Sequence, residues 1–191
     1  MEEISIYHVQ TAGLAIVMLL GLVWDLKERR IPNWLTVGGL AVALVIAAYP
    51  GPDTLASGAT NPGALTFTAG LLGAALALVL TLPLFALGGF GGGDAKLLIA
   101  AGGFLGPRAL LSACVLVAVF GGLLAIITAV RGRLILRALA NSRDLLLWAV
   151  TLGRSGEKRT LETEGAITIP YGVAVAAGAL SVWFYPAMNF I

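Results

Sequence analysis

Charge, histidine and cysteine are all scarce in this chain. Only 12% of its 191 residues are Asp, Glu, Lys or Arg, against 59% that are hydrophobic. A soluble domain of this size leaves too much of its volume at the surface to hide so large an apolar fraction, so a water-soluble globule is excluded. Lipid removes the difficulty, because it solvates the outer face of an apolar bundle. The single cysteine, Cys114, excludes an internal disulfide and a Cys-x-x-Cys metal pair; set in an apolar run, it reads as a buried, inert thiol. The single histidine, His8, leaves a Ser-His-Asp or Cys-His site almost nothing to build on. The first apolar run follows Glu2 and Glu3 rather than a basic stretch. That is unlike a cleavable signal peptide, and the run reads as a helix of the mature protein.

What is abundant is apolar sequence in runs. A bilayer crossing takes about 17–25 residues, and candidates lie at Ile4–Asp25, Asn33–Ala48, Gly63–Leu87, Asp94–Gly106, Arg108–Val130 and Ala166–Phe190. The fourth is short enough to be re-entrant by length alone, and charge decides the point. Lys27, Arg29 and Arg30 follow the first run, Lys96 opens the fourth, and Arg131, Arg133, Arg137, Arg143, Arg154, Lys158 and Arg159 follow the fifth. With six crossings and the N-terminus outside, every Lys and Arg except Arg108 falls on the cytoplasmic side, as the positive-inside rule requires. The expected fold is therefore all-α and polytopic, with about six transmembrane helices and both termini outside, in one domain spanning residues 1–191. Within it, 131–165 reads as a basic cytoplasmic segment lying on the inner leaflet. Trp24, Trp34, Trp183 and Tyr185 stand near run ends, where amphipathic rings favour the interface.

Two acids stand out against this background, at run ends on the same predicted membrane face. Asp25 lies in Trp24-Asp25-Leu26-Lys27-Glu28-Arg29-Arg30-Ile31-Pro32-Asn33. The first helix is expected to run to about Arg30 and to stop before Pro32. That puts Asp25 in the helix's C-terminal part, where the macrodipole disfavours a negative charge by about 0.3–1 kcal/mol. An ion pair with Arg29 at i+4, worth about 0.3–0.5 kcal/mol, only offsets this. Asp94 follows Gly88-Gly89-Phe90-Gly91-Gly92-Gly93, a backbone that must bend or admit another chain closely; by itself it would also serve as the N-cap of the fourth helix. A Walker nucleotide loop is absent from this glycine run, and so is the soluble crossover unit of a dinucleotide fold.

Two carboxylates brought close cannot both ionise easily, so one keeps a proton. The ionised member can then take a proton from water while the other polarises a carbonyl, which is aspartyl protease chemistry. Paired membrane acids also serve ion or proton translocation, but transporters more often place them mid-span in broken helices, and no run here has an acid at its centre. A non-enzymatic scaffold of a secretion system, docking through the basic inner-face stretch, is the third reading.

At the two acidic motifs the chain resembles the type IV prepilin peptidases, membrane aspartyl proteases of the GxGD type. Asp25 with Arg29-Arg30-Ile31-Pro32-Asn33-Trp34-Leu35-Thr36 resembles the family's first catalytic segment, and Gly91-Gly92-Gly93-Asp94-Ala95-Lys96-Leu97 resembles its GxGD segment. Ile169-Pro170-Tyr171-Gly172-Val173-Ala174 resembles the stretch that opens its last helix.

The resemblance implies Asp25 and Asp94 as the catalytic dyad. Gly91 and Gly93 would give the backbone room, Pro32 and Asn33 would shape the turn that aims Asp25, and Pro170, Tyr171 and Gly172 would form the third motif. Lys96, two residues beyond Asp94, points away from it on a helix; it is either a supporting residue or an interfacial anchor. The implied reaction is removal of the short basic leader of a prepilin or pseudopilin at the cytoplasmic face of the inner membrane. The lipid bilayer and pilus or secretion assembly proteins would be partners, and no nucleic acid, metal or organic cofactor is implied. Larger members carry a domain with paired Cys-x-x-Cys motifs and also N-methylate the pilin. This sequence has neither the domain nor the cysteines, and so resembles minimal, peptidase-only members of tight-adherence (Tad/Flp) pilus systems, with archaeal preflagellin peptidases the nearest alternative.

Overall fold

A computed structural model describes residues 6–49, 65–86, 90–131 and 170–185. Among these residues the chain forms five helices and no strand: α1 (Ile6–Glu28), α2 (Asn33–Ala48), α3 (Phe67–Ala86), α4 (Gly92–Arg131) and α5 (Tyr171–Phe184). Three of them, α1, α3 and α4, are long and apolar enough to cross a membrane, while α2 and α5 are shorter apolar helices. The stretch 132–165, the connection 50–62 and both chain ends lie outside the described residues.

The helix ends follow from local chemistry. α1 stops at Glu28, slightly earlier than expected, because Arg29 takes up the left-handed region (φ 51°) while its N–H still donates to the Asp25 carbonyl at 3.0 Å. A non-glycine residue there costs about 1–2 kcal/mol. Pro32, extended at φ −68° and ψ 141°, caps α2; its carbonyl accepts the Leu35 N–H at 3.1 Å, and the proline itself has no N–H to lose. α5 begins only after Pro170, later than the apolar run suggested, since the proline occupies the cap position.

α4 comprises the two apolar runs expected from the sequence, as two helical limbs that meet at a break. Its 40 residues would measure about 60 Å if straight, roughly twice the hydrocarbon thickness of a bilayer. The helix breaks at Gly106 (φ 72°, ψ 175°), immediately before Pro107. Only glycine readily takes that conformation, and a Cβ there would also meet Leu65 at 2.6 Å. Contacts on the two limbs show that the break reverses the chain. Going down the first limb, Leu97 lies against Gly21 of α1 and Phe104 against Gly13. Coming back, Val117 meets Gly178 of α5, and Gly121 meets Tyr171 at that helix's start. Gly92 and Gly121 would be about 43 Å apart in a straight helix, yet Phe90 and Gly121 both touch the ring of Tyr171.

The interior holds Leu14, Met18, Leu97, Phe104, Leu110, Val175 and Val182, all fully buried. α3 crosses the first limb of α4 where Gly73 meets Gly102, so closely that a Cβ on Gly102 would stand 2.5 Å from the Gly73 carbonyl oxygen. Small residues that let backbones approach are the usual adhesive between helices in lipid, where burial of apolar surface gives no driving force. The outside is apolar too: Ile16, Val37, Leu72, Val79 and Ile126 are all more than half exposed, as a lipid-facing surface requires. Trp34 is exposed and stacks edge-to-face on Trp24 at 5.5 Å. Trp183 departs from the interfacial role expected of it. It is 1% exposed, and its Nε1–H donates to Thr11 Oγ1 at 3.0 Å, so it is a core residue.

Candidate active site

Asp25 and Asp94 come together at one end of the bundle. The C-terminal turn of α1 and the first turns of α2, α4 and α5 all meet there. Asp25 is buried, with 6% of its surface exposed. Its position near the end of α1 sets it against the negative pole of that helix. The structure supplies the compensation: the Gly172 N–H donates to Asp25 Oδ2 at 2.8 Å, across 147 residues of sequence. Gly172 is the second residue of α5, so its amide is one of the donors a helix leaves unsatisfied at its start, at the pole that favours an anion. Helix termini of opposite polarity thus meet on one carboxylate. No side chain fits at position 172, because a Cβ there would lie 2.8 Å from Asp25 Oδ2 and 2.9 Å from its Cβ. The Arg29 guanidinium is within electrostatic reach of the same carboxylate.

Asp94 is not an N-cap. Gly91 precedes the helix, its carbonyl accepting the Ala95 N–H at 3.0 Å, and Asp94 is the third residue of α4, in its first turn, where the macrodipole favours an acid. Its carboxylate folds back over Gly91, where a Cβ would stand 2.6 Å from Oδ2. Asp94 interacts with both the charge of Asp25 and the Gly172 amide. Two carboxylates and one backbone N–H therefore form a single cluster.

The remaining residues singled out in the sequence surround this cluster. Gly93 packs against Ile31, its Cβ position 3.2 Å from that residue's Cβ, and Pro32 and Asn33 open α2 beside it. Lys96 is exposed, as helical geometry predicted, but it is not a free anchor: its Nζ donates to Asn33 Oδ1 at 2.8 Å, joining the first turns of α2 and α4. Pro170 caps α5, and Tyr171 lies edge-to-face on Phe90, with ring centroids 5.6 Å apart.

Sequence reasoning missed two contributors, Phe90 and Gly121, whose bare Cα lies against the Tyr171 ring. Phe90 had a visible signal, being the one residue with a side chain between Gly88 and Gly93; Gly121 had none. Among the described residues no three His, Cys, Asp or Glu side chains converge as a metal site would need. The arrangement offers instead a pair of carboxylates at a helix-end junction, open at its rim through the partly exposed Asp94.

Residues 12–126 match the profile of the type IV leader peptidase family. The matched span contains Asp25, the glycine turn and Asp94, and stops short of the Pro170-Tyr171-Gly172 segment that the fold brings to them. No curated protein and no solved structure matches the chain. Since the matched span is well over half of the 191 residues, the chain belongs to the type IV leader peptidase family.

Proposed function

We propose that this peptidase is an aspartyl endopeptidase, with Asp25 and Asp94 as its catalytic pair, and that it removes the short basic leader from Flp-like type IV prepilins at the cytoplasmic face of the inner membrane. The observation that carries the reading is the junction of three helix ends on the two carboxylates, with the Gly172 amide bonded to Asp25 and acting also on Asp94. An aspartyl dyad works with one carboxylate ionised and one protonated. The ionised member takes a proton from water as the water oxygen bonds to the scissile carbonyl carbon, and the protonated member gives its proton to the carbonyl oxygen. Collapse of the tetrahedral intermediate returns that proton and breaks the C–N bond. The leaving amine takes up the proton drawn from water, and the carboxylates are restored. Gly172 orients Asp25 throughout and needs no side chain to do so.

The orientation in the membrane rests on charge. Lys27, Arg29, Arg30 and Lys96 lie at the same end of the bundle as the acids and are exposed. The returning limb of α4 ends there in Arg131, whereas Arg108 begins that limb at the opposite end. Under the positive-inside rule the acidic end is cytoplasmic, and the two limbs of α4 supply the fourth and fifth of six crossings. The test is co-expression with a tagged Flp-type prepilin, comparing wild type, Asp25→Asn and Asp94→Asn on a gel that resolves leader loss. Wild type should shorten the prepilin and both variants should accumulate intact in the membrane without cleaving it. Cleavage by either variant at the wild-type rate removes that residue from the mechanism.

A further inference from the structure

The six residues from Gly88 to Gly93 carry a single side chain, the phenyl ring of Phe90. Glycine backbones have the greatest freedom to lose on ordering, so the run that delivers Asp94 does not hold itself in place. Nothing within Gly91-Gly92-Gly93 can anchor the turn by its own side chain. Phe90 can, and it is buried, with 9% of its surface exposed. It packs edge-to-face on Tyr171, with ring centroids 5.6 Å apart and planes at 64°, the arrangement aromatic pairs prefer.

Tyr171 directly precedes Gly172, whose amide grips Asp25. The Tyr171 ring is seated from behind by the bare Cα of Gly121 on the returning limb of α4, where a Cβ would stand 2.7 Å from Cε1. One residue further on, a Cβ on Gly122 would meet nothing within 4 Å. Gly121 is therefore fitted to the ring, while its neighbour faces open space. The contacts run from the second limb of α4, through the ring that opens α5, to the only side chain in the turn before Asp94.

We propose that Phe90, Tyr171 and Gly121 form a positioning relay that holds the Asp94 turn in register with the Asp25–Gly172 contact. The proposal rests on the aspartyl reading for its effect on cleavage, but its geometric content does not. The contacts that define the relay are among the three themselves, and the Tyr171 ring, not its hydroxyl, carries them. A displacement of about 1 Å in a catalytic group costs on the order of 100-fold in rate, which sets the scale of what losing the relay does.

The test uses the full chain in membranes, with two readouts. The first is kcat and KM for cleavage of a tagged Flp-type prepilin. The second needs no activity: cysteines introduced by Asn33→Cys and Lys96→Cys in a Cys114→Ser background are joined by a short bifunctional thiol reagent, which reports whether the first turn of α4 keeps its place against α2. Phe90→Ala and Tyr171→Ala are expected to lower kcat by roughly 10- to 100-fold with KM within about twofold, and to cut the cross-link yield severalfold. Tyr171→Phe should recover both readouts. The Phe90→Ala, Tyr171→Ala double variant should lose no more than the worse single one, because both break the same contact. Gly121→Ala should behave like a mild Tyr171→Ala, and Gly122→Ala like wild type. An unchanged cross-link yield in Phe90→Ala, or identical behaviour of Gly121→Ala and Gly122→Ala, overturns the relay. If Asp25→Asn and Asp94→Asn cleave normally, the aspartyl reading has failed instead, and the cross-link arm still decides the relay.

Discussion

The two ends of the bundle use the same residue, glycine, for different purposes. At the end away from the acids, Gly73 and Gly102 bring backbone against backbone, and Gly106 reverses the chain. At the acidic end, Gly172 and Gly91 bring backbone against carboxylate. The first kind of contact holds helices together, and a methyl group there must push two helices apart. The second sets bare backbone against a charged group: a methyl group on Gly91 would meet the Asp94 carboxylate, and one on Gly172 would meet the Asp25 carboxylate and, at 2.9 Å, its Cβ as well. The polar contacts differ likewise. Trp183 and Thr11 close the far end with a neutral hydrogen bond, close to Gln10, a fully buried side chain whose Oε1 has no hydrogen-bond partner. The acidic end joins segments 63 and 147 residues apart through charged groups, Lys96 and Asp25. The contrast separates residues that stabilise from residues that orient.

The largest effect is expected at the acids. Asp25→Asn or Asp94→Asn should lower prepilin cleavage by at least the 100- to 10,000-fold typical of losing a general acid or base, with membrane insertion unchanged on a fractionation blot. Next comes Gly172→Ala, for which a kcat loss of about 100-fold is expected, well beyond what its lowered thermal stability in detergent accounts for, since the added methyl also meets the Asp25 Cβ. Its counterpart at the other end, Gly102→Ala, should do the reverse: overpacking costs about 1–3 kcal/mol, seen as a lower unfolding temperature, while the folded fraction cleaves at the wild-type rate. If Gly102→Ala lowers kcat at unchanged stability, or Gly172→Ala simply unfolds, the division between the two ends collapses. Smaller still, Lys96→Ala and Asn33→Ala should each reduce cleavage a few-fold and couple in a double-mutant cycle; additive losses would mean that their hydrogen bond does not matter. The smallest expected change is Thr11→Val, costing about 0.5–1.5 kcal/mol of stability for one hydrogen bond with no change in cleavage by the folded protein.

Much of this was legible in the sequence, for identifiable reasons. α2 could be bounded at Asn33 and Ala48 because Pro32 marks its start and the apolar run ends where the helix does. The break at Gly106-Pro107 was visible as a boundary between two apolar runs, since the pair combines conformational freedom with a missing N–H. Asp25 could be recognised as misplaced on its own helix, because a macrodipole acts locally. What relieves it could not be seen, since the Gly172 amide arrives from 147 residues away. Asp94 also fits an N-cap by sequence alone, because acids favour that position, but Gly91 precedes the helix and Asp94 is its third residue. Lys96 reads as either a supporting residue or an interfacial anchor, and its Asn33 partner is out of sight because side-chain direction along one helix says nothing of a neighbouring helix. The basic inner-leaflet segment expected at 131–165 lies, apart from Arg131, outside the described residues.

The contact between Gly172 and Asp25 also has a consequence in time. Chains are made from the N-terminus, so Asp25 and Asp94 leave the ribosome well before residue 172. Until α5 takes its place, Asp25 lacks its amide donor, and Phe90 lacks the ring it packs on. The cluster of two carboxylates and one backbone amide is complete only once the last of the described helices is seated.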